Sequence, residues 1–167
     1  WLGLGMVTLV RLRRTSPLLL PRPDAVQEAC ELVGADAEFR SAPGFARPVT
    51  FGVKMPVVML PDSFSALSAN EQTAIACHEL VHVKRHDWLR AAADEIVRAL
   101  GWFHPAIWWL LDQIHLAREQ VVDGRVVSLV GSRQAYLQAL LRLAGPGERL
   151  ALRPVSLFLK HAHLRQR

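Results

Sequence analysis

The sequence predicts an α+β fold, mainly helical, with one small β-sheet placed ahead of most of the helices. Three observations carry this. The β-like segments all fall between residues 38 and 60, where runs such as Pro56-Val57-Val58-Met59-Leu60 are apolar and β-branched and are bounded by prolines. From residue 68 onward, apolar residues recur at helical spacing and the segments are punctuated by helix caps. With 167 residues, 51% of them hydrophobic, the chain is long enough to build one domain around a real core.

The chain opens on Trp1 to Val10, a run without charge, and turns basic at Arg11, Arg13 and Arg14. A bilayer span needs about 20 apolar residues. Residues 1–14 therefore read as the C-terminal part of a transmembrane helix whose basic flank lies on the cytoplasmic side. Pro17, Pro21 and Pro23 then keep the chain out of regular helix. Asp24 caps a helix expected to reach about Val33, where Gly34 stops it. Strands are expected at Glu38 to Ser41, Pro48 to Val53 and Pro56 to Leu60, and the prolines confine at least one of them to a sheet edge.

Ser68-Ala69-Asn70-Glu71 has the form of a capping box, with Glu71 reaching back to Ser68. It starts a helix expected to continue to Leu89 or beyond. His104-Pro105 reads as the cap and first residue of another helix, carrying Ala106 to Asp123, because proline is tolerated where its missing N–H has no partner anyway. A last helix is expected from Arg133 to Ala144, ahead of Gly145-Pro146-Gly147. The main domain is thus residues 15–145. Residues 146–167 form a basic segment with Arg149, Arg153, Lys160, Arg165 and Arg167, leading towards a further transmembrane helix.

The net charge of +5, concentrated at the two ends, suits anionic lipid headgroups. No nucleic-acid motif accompanies it, so membrane lipid is an expected partner and direct nucleic-acid binding is not. Cys30 and Cys77 lack metal-ligand spacing, and two cysteines make no disulfide framework, which fits a reducing compartment.

The chemistry is concentrated in His78-Glu79-Leu80-Val81-His82. On a helix the i,i+4 spacing puts His78 and His82 on one face, where two imidazoles can take two corners of a tetrahedral zinc. Glu79 then lies beside the open corner, where a carboxylate can accept a proton from water acidified by the metal. Arg118-Glu119-Gln120-Val121-Val122-Asp123 supplies two more carboxylates at i,i+4 spacing. Glu119 is the expected third ligand, since two histidines and a glutamate are an established catalytic set. Asp123 is expected to orient a ligand histidine through its second nitrogen. His86 cannot join the same shell, because i and i+8 on a straight helix are about 12 Å apart; a polar role with its neighbour Asp87 is expected. His115 and Tyr136 are nominal oxyanion donors, each better explained as structural. Trp108-Trp109 reads as core or membrane-interface packing, and an exposed strand edge beside the zinc cleft could pair with an extended substrate backbone.

Ser68 to Asp87, Trp102 to Trp109 and Arg118 to Asp123, together with Pro48-Val49-Thr50-Phe51-Gly52 and Pro56 to Pro61, resemble the membrane-embedded metallopeptidases of the BlaR/MecR type. The resemblance covers roughly residues 45 to 145. It implies a gluzincin-like, zincin-like zinc endopeptidase domain on the cytoplasmic side of a multi-pass protein of the inner membrane. It also implies signal transduction in which cleavage of the protein itself, or of a cytoplasmic regulator such as a transcriptional repressor, relays an extracellular stimulus. Gly124 stands where relatives commonly carry an acidic residue, and nothing here resembles a penicillin-binding sensor domain.

Overall fold

In the computed structural model residues 11–144 are described. Their elements are α1 (Asp24–Val33), β1 (Glu38–Ser41), β2 (Val49–Phe51), β3 (Val57–Leu60), α2 (Ala69–Lys84), α3 (Asp87–Leu100), α4 (Pro105–Val130) and α5 (Arg133–Ala144). The fold is mainly helical α+β, as the sequence predicts. Of the expected membrane segment, residues 1–14, the first ten lie outside the described residues, as does the basic segment 146–167. Among those described, no helix is long and apolar enough to cross a membrane.

The sheet has the order β1-β3-β2, with β3 parallel to β1 and antiparallel to β2. All four residues of the central β3 are buried, and their alternation divides the core. Val58 and Leu60 join the main cluster with Val26 of α1 and Leu80 of α2. Val57 and Met59 join a second cluster with Phe51, onto which Leu12 and Trp88 pack. The outer edge of β1 is covered by the preceding chain, since Leu19 N–H donates to Phe39 O at 3.0 Å and Ser41 N–H to Pro17 O at 3.0 Å. On the opposite side β2 has, among the described residues, a strand neighbour on one flank only. Gly52, which turns β2 into β3, has φ +94, and a Cβ there would lie 2.8 Å from Met55 O.

The helix α2 is the axis of the domain and touches α1, α3, α4, α5 and β2. Its start is the capping box the sequence predicts: Glu71 Oε2 accepts from Ser68 N–H at 2.8 Å and from Ser68 Oγ at 2.7 Å. Small and apolar residues in its interior, Ala74, Ala76, Cys77 and Leu80, are fully buried. Close approach to α1 follows, tied by Thr73 Oγ1 to Glu28 at 3.0 Å and by Lys84 Nζ to the Val33 carbonyl at 2.6 Å.

The helix does not continue to Leu89. It ends at Lys84, and His86, at φ 55 and ψ 38 in the left-handed region, starts α3 at Asp87. A non-glycine residue there costs on the order of 1–2 kcal/mol. The compensation is visible in Asp87, which hydrogen-bonds His82 and pairs with Arg85 and Arg90. On an unbroken helix a residue five places on from His82 would point about 140° away from it.

The helix α4 starts at Pro105 as expected and runs past Asp123 to Val130, where Gly131 caps it at φ 71. Gly124 does not interrupt it, and a Cβ at that position would meet nothing within 4 Å. The helix α5 occupies its expected span and puts Tyr136, Ala139 and Leu143 into the main core.

Candidate metal centre

His78, Glu79 and His82 enter the centre from α2, Glu119 and Asp123 from α4, and Tyr136 from α5. The crossing of α4 and α5 over α2 places them, because Val122, Val126 and Tyr136 are buried against the same core that holds Leu80. His78 Nε2 and His82 Nε2 lie 3.1 Å apart. Glu119 closes the triangle with Oε2 3.7 Å from His78 Nε2 and Oε1 3.8 Å from His82 Nε2. Zinc–nitrogen bonds of about 2.0–2.1 Å in a tetrahedron put ligand atoms about 3.3 Å apart. The three side chains present edges close to that figure, so the donor set fits a tetrahedral ion, and three ligands leave one corner over.

The partners of the histidines fix which nitrogen faces inward. His82 Nδ1 lies 2.9 Å from Asp87 Oδ2, so it carries the proton and donates it. The Tyr136 hydroxyl donates to Asp123 Oδ1 at 2.5 Å, and therefore accepts from His78 Nδ1–H at 2.7 Å. Both Nε2 atoms then present lone pairs to the same point, an arrangement that asks for a cation between them.

The two histidines differ in their electrostatics. Burial and the neighbouring His82 push the His78 imidazolium down to about 3. Burial also opposes the His82 cation, but the Asp87 hydrogen bond and the carboxylates around it outweigh that and raise its pKa. Burial raises Glu119 and Glu79 as well. Glu79 is 8% exposed, and Thr50 Oγ1 donates to its Oε2 at 2.5 Å. A buried carboxylate of raised affinity for protons, held by one hydroxyl, suits a group that must take up a proton and release it again.

The structure brings His78, His82 and Glu119 together, with Glu79 close enough to interact electrostatically with His82 and Glu119. Asp123 is 3.5 Å from His78 Nδ1, with the Tyr136 hydroxyl as the intermediary. Tyr136 therefore holds the His78 ring from within the core, its hydroxyl committed to His78 and Asp123. His115 lies one turn before Glu119, its Nε2 3.8 Å from Glu119 Oε1. His86 is exposed, and it is Asp87 that meets His82. Cys77, adjacent to His78 in sequence, turns into the core, where burial pushes its thiol up to about 12.

Thr50 was not singled out from the sequence, and Tyr136 and Asp87 were named there without their contacts to His78 and His82. Thr50 carries no signature, and Tyr136 is 58 residues from His78. Asp87 had a usable signal, since aspartate is a common helix starter and a second helix could begin there.

The family described as BlaR1 peptidase M56 matches residues 11–167. The chain belongs to it. Within this metallopeptidase family, the converging histidines and glutamate supply what the name requires, a possible metal site. The "Regulatory protein BlaR1" of Bacillus licheniformis is 32% identical over 92 residues, which are 55% of this chain and 15% of that protein. The chain thus spans a small part of that M56 relative.

Proposed function

We propose that this chain is the zinc endopeptidase domain of a multi-pass membrane protein that transduces a signal by cleaving itself or a cytoplasmic regulator such as a transcriptional repressor. The observation that carries the reading is the triangle of His78 Nε2, His82 Nε2 and Glu119, with the buried Glu79 on its flank. The relative's name, a regulatory protein, supports the signalling part. A zincin-like, gluzincin-like fold accords with a motif helix beside a small sheet.

His78, His82 and Glu119 would hold the ion. Bound there, zinc would supply Lewis acidity and would acidify water from its bulk pKa to about 7. Glu79 would accept the proton of the attacking water and pass it to the leaving amine, with Thr50 fixing one carboxylate oxygen and leaving the other without that bond. Asp87 and the Asp123–Tyr136 pair hold the imidazoles in the tautomer that keeps Nε2 free of a proton. The open flank of β2, which carries Thr50, offers main-chain donors and acceptors to an extended peptide next to Glu79.

The deciding experiment compares the wild-type chain with Glu79→Gln. Both should hold about one zinc per chain by elemental analysis, and only the wild type should cleave itself or an added protein. Cleavage by Glu79→Gln at the wild-type rate, or a wild-type chain that takes up no zinc at neutral pH, refutes the reading.

A further inference from the structure

A surface helix normally turns its apolar stripe inward. The helix α3 does the reverse. Leu89, Ile96, Val97 and Leu100 are exposed, and its one buried residue is Asp87. Its polar side packs on α4: Asp94 pairs with Arg118, and Arg98 reaches Asp112 at 3.9 Å and lies 5.0 Å over the Trp108 ring. The stripe continues round the tip of the α3–α4 hairpin, where Trp102 is 71% exposed and Phe103 69%. Residues 99–111 contain no Asp, Glu, Lys or Arg. More than half of the exposed large apolar side chains among the described residues lie between Leu89 and Leu110. Single exposed apolar residues need no explanation, but a contiguous face does.

We propose that the apolar face of α3 and the tip at Trp102 and Phe103 lie on a lipid bilayer, at the boundary between headgroups and acyl chains. Three features favour lipid as the occupant. An amphipathic helix that exposes its apolar side, followed by Trp and Phe at a turn, has the composition of an interfacial segment. Charge agrees: the acids of α3, Asp87, Asp94 and Glu95, are each paired with an arginine, so an anionic surface meets no bare carboxylate there. The third is continuity. The uncharged residues 1–10 join the described chain at Arg11, and Leu12 packs in the same cluster as Trp88 in the first turn of α3. The described chain therefore starts, at Arg11, Arg13 and Arg14, on the cluster from which this face begins. Because α3 starts at Asp87, one hydrogen bond from His82, the bilayer runs beside the metal centre. This placement is independent of whether the centre hydrolyses peptides.

The test places an environment-sensitive fluorophore on Ile96→Cys, on Leu100→Cys and, as a control on α1, on Glu31→Cys, each in a Cys30→Ser background; the buried Cys77 is not labelled. The chain is reconstituted with vesicles of phosphatidylcholine and phosphatidylglycerol. Lipids spin-labelled on the acyl chain should quench positions 96 and 100 several-fold more than position 31, and aqueous iodide should show the opposite order. Iodide quenching at 96 and 100 equal to that at 31 would mean the face stands in water and would overturn the proposal. Shielding of 96 and 100 from both quenchers would overturn it too, in favour of a protein cover such as a second copy of this chain.

Discussion

His78 and His82 each commit Nδ1 to a neighbouring oxygen, Tyr136 for one and Asp87 for the other, and both supports can be removed without touching either histidine or Glu119. Asp87→Asn should weaken zinc affinity by roughly 10- to 100-fold, read by competition with a chelator, because the carboxylate that holds the His82 tautomer loses its charge. Wild-type affinity in that variant would count against the assignment. Asp123 acts through Tyr136, so Asp123→Asn and Tyr136→Phe should not be additive: the double variant should lose no more than the worse single one. Independent losses would place Asp123 directly on His78. Glu119→Gln should do more damage than either, since it removes a charged oxygen from the triangle itself.

At the scale of elements, β2 does two jobs, presenting an open flank and holding Glu79 through Thr50. Thr50→Val keeps the side-chain shape and removes that hydroxyl. Loss of a hydrogen bond to a carboxylate, about 1.5–3 kcal/mol, should lower kcat about tenfold or more with zinc content unchanged. An unchanged kcat would show that the bond is idle in turnover. At the start of α2, Ser68 holds Glu71 below the ordinary carboxylate range by donating two hydrogen bonds, with Arg142 adding a third at 3.1 Å. The folded pKa is depressed, so this contribution is fully present above the unfolded value of about 4.3 and is lost as pH falls through the folded one. Urea unfolding of Ser68→Ala should show about 1 kcal/mol less stability at neutral pH and a shallower decline into acid; parallel pH curves would contradict it. This cap was legible in sequence, as were Gly34 and Pro105, because each acts on its own immediate neighbours. The break after Lys84 was not, since His86 gives no local sign of its left-handed conformation and the reason for it is a hydrogen bond made by Asp87. The motif helix and the placing of Glu119 and Asp123 one turn apart on a second helix were readable from spacing, whereas the meeting of Tyr136 with His78 depends on how α5 packs.

Over the whole molecule, anchorage is uneven. The helices α1, α2 and α5 share the main apolar core, whereas α3 buries one residue, Asp87, and faces α4 with ion pairs. Ion pairs near the surface contribute about 0–1 kcal/mol each, so α3 should open at a lower free energy than the core. Amide hydrogen exchange in detergent-free buffer should find α3 exchanging well ahead of α2, and more so at high salt; the two exchanging together would mean that the fold opens as one unit. The first turn of this least-anchored helix also carries the partner of His82. Each opening of α3 releases that imidazole from Asp87 while the rest of the core stays closed. The residence time of an ion at the centre would then follow the lifetime of α3, and exchange of the metal would run on a clock far faster than global unfolding.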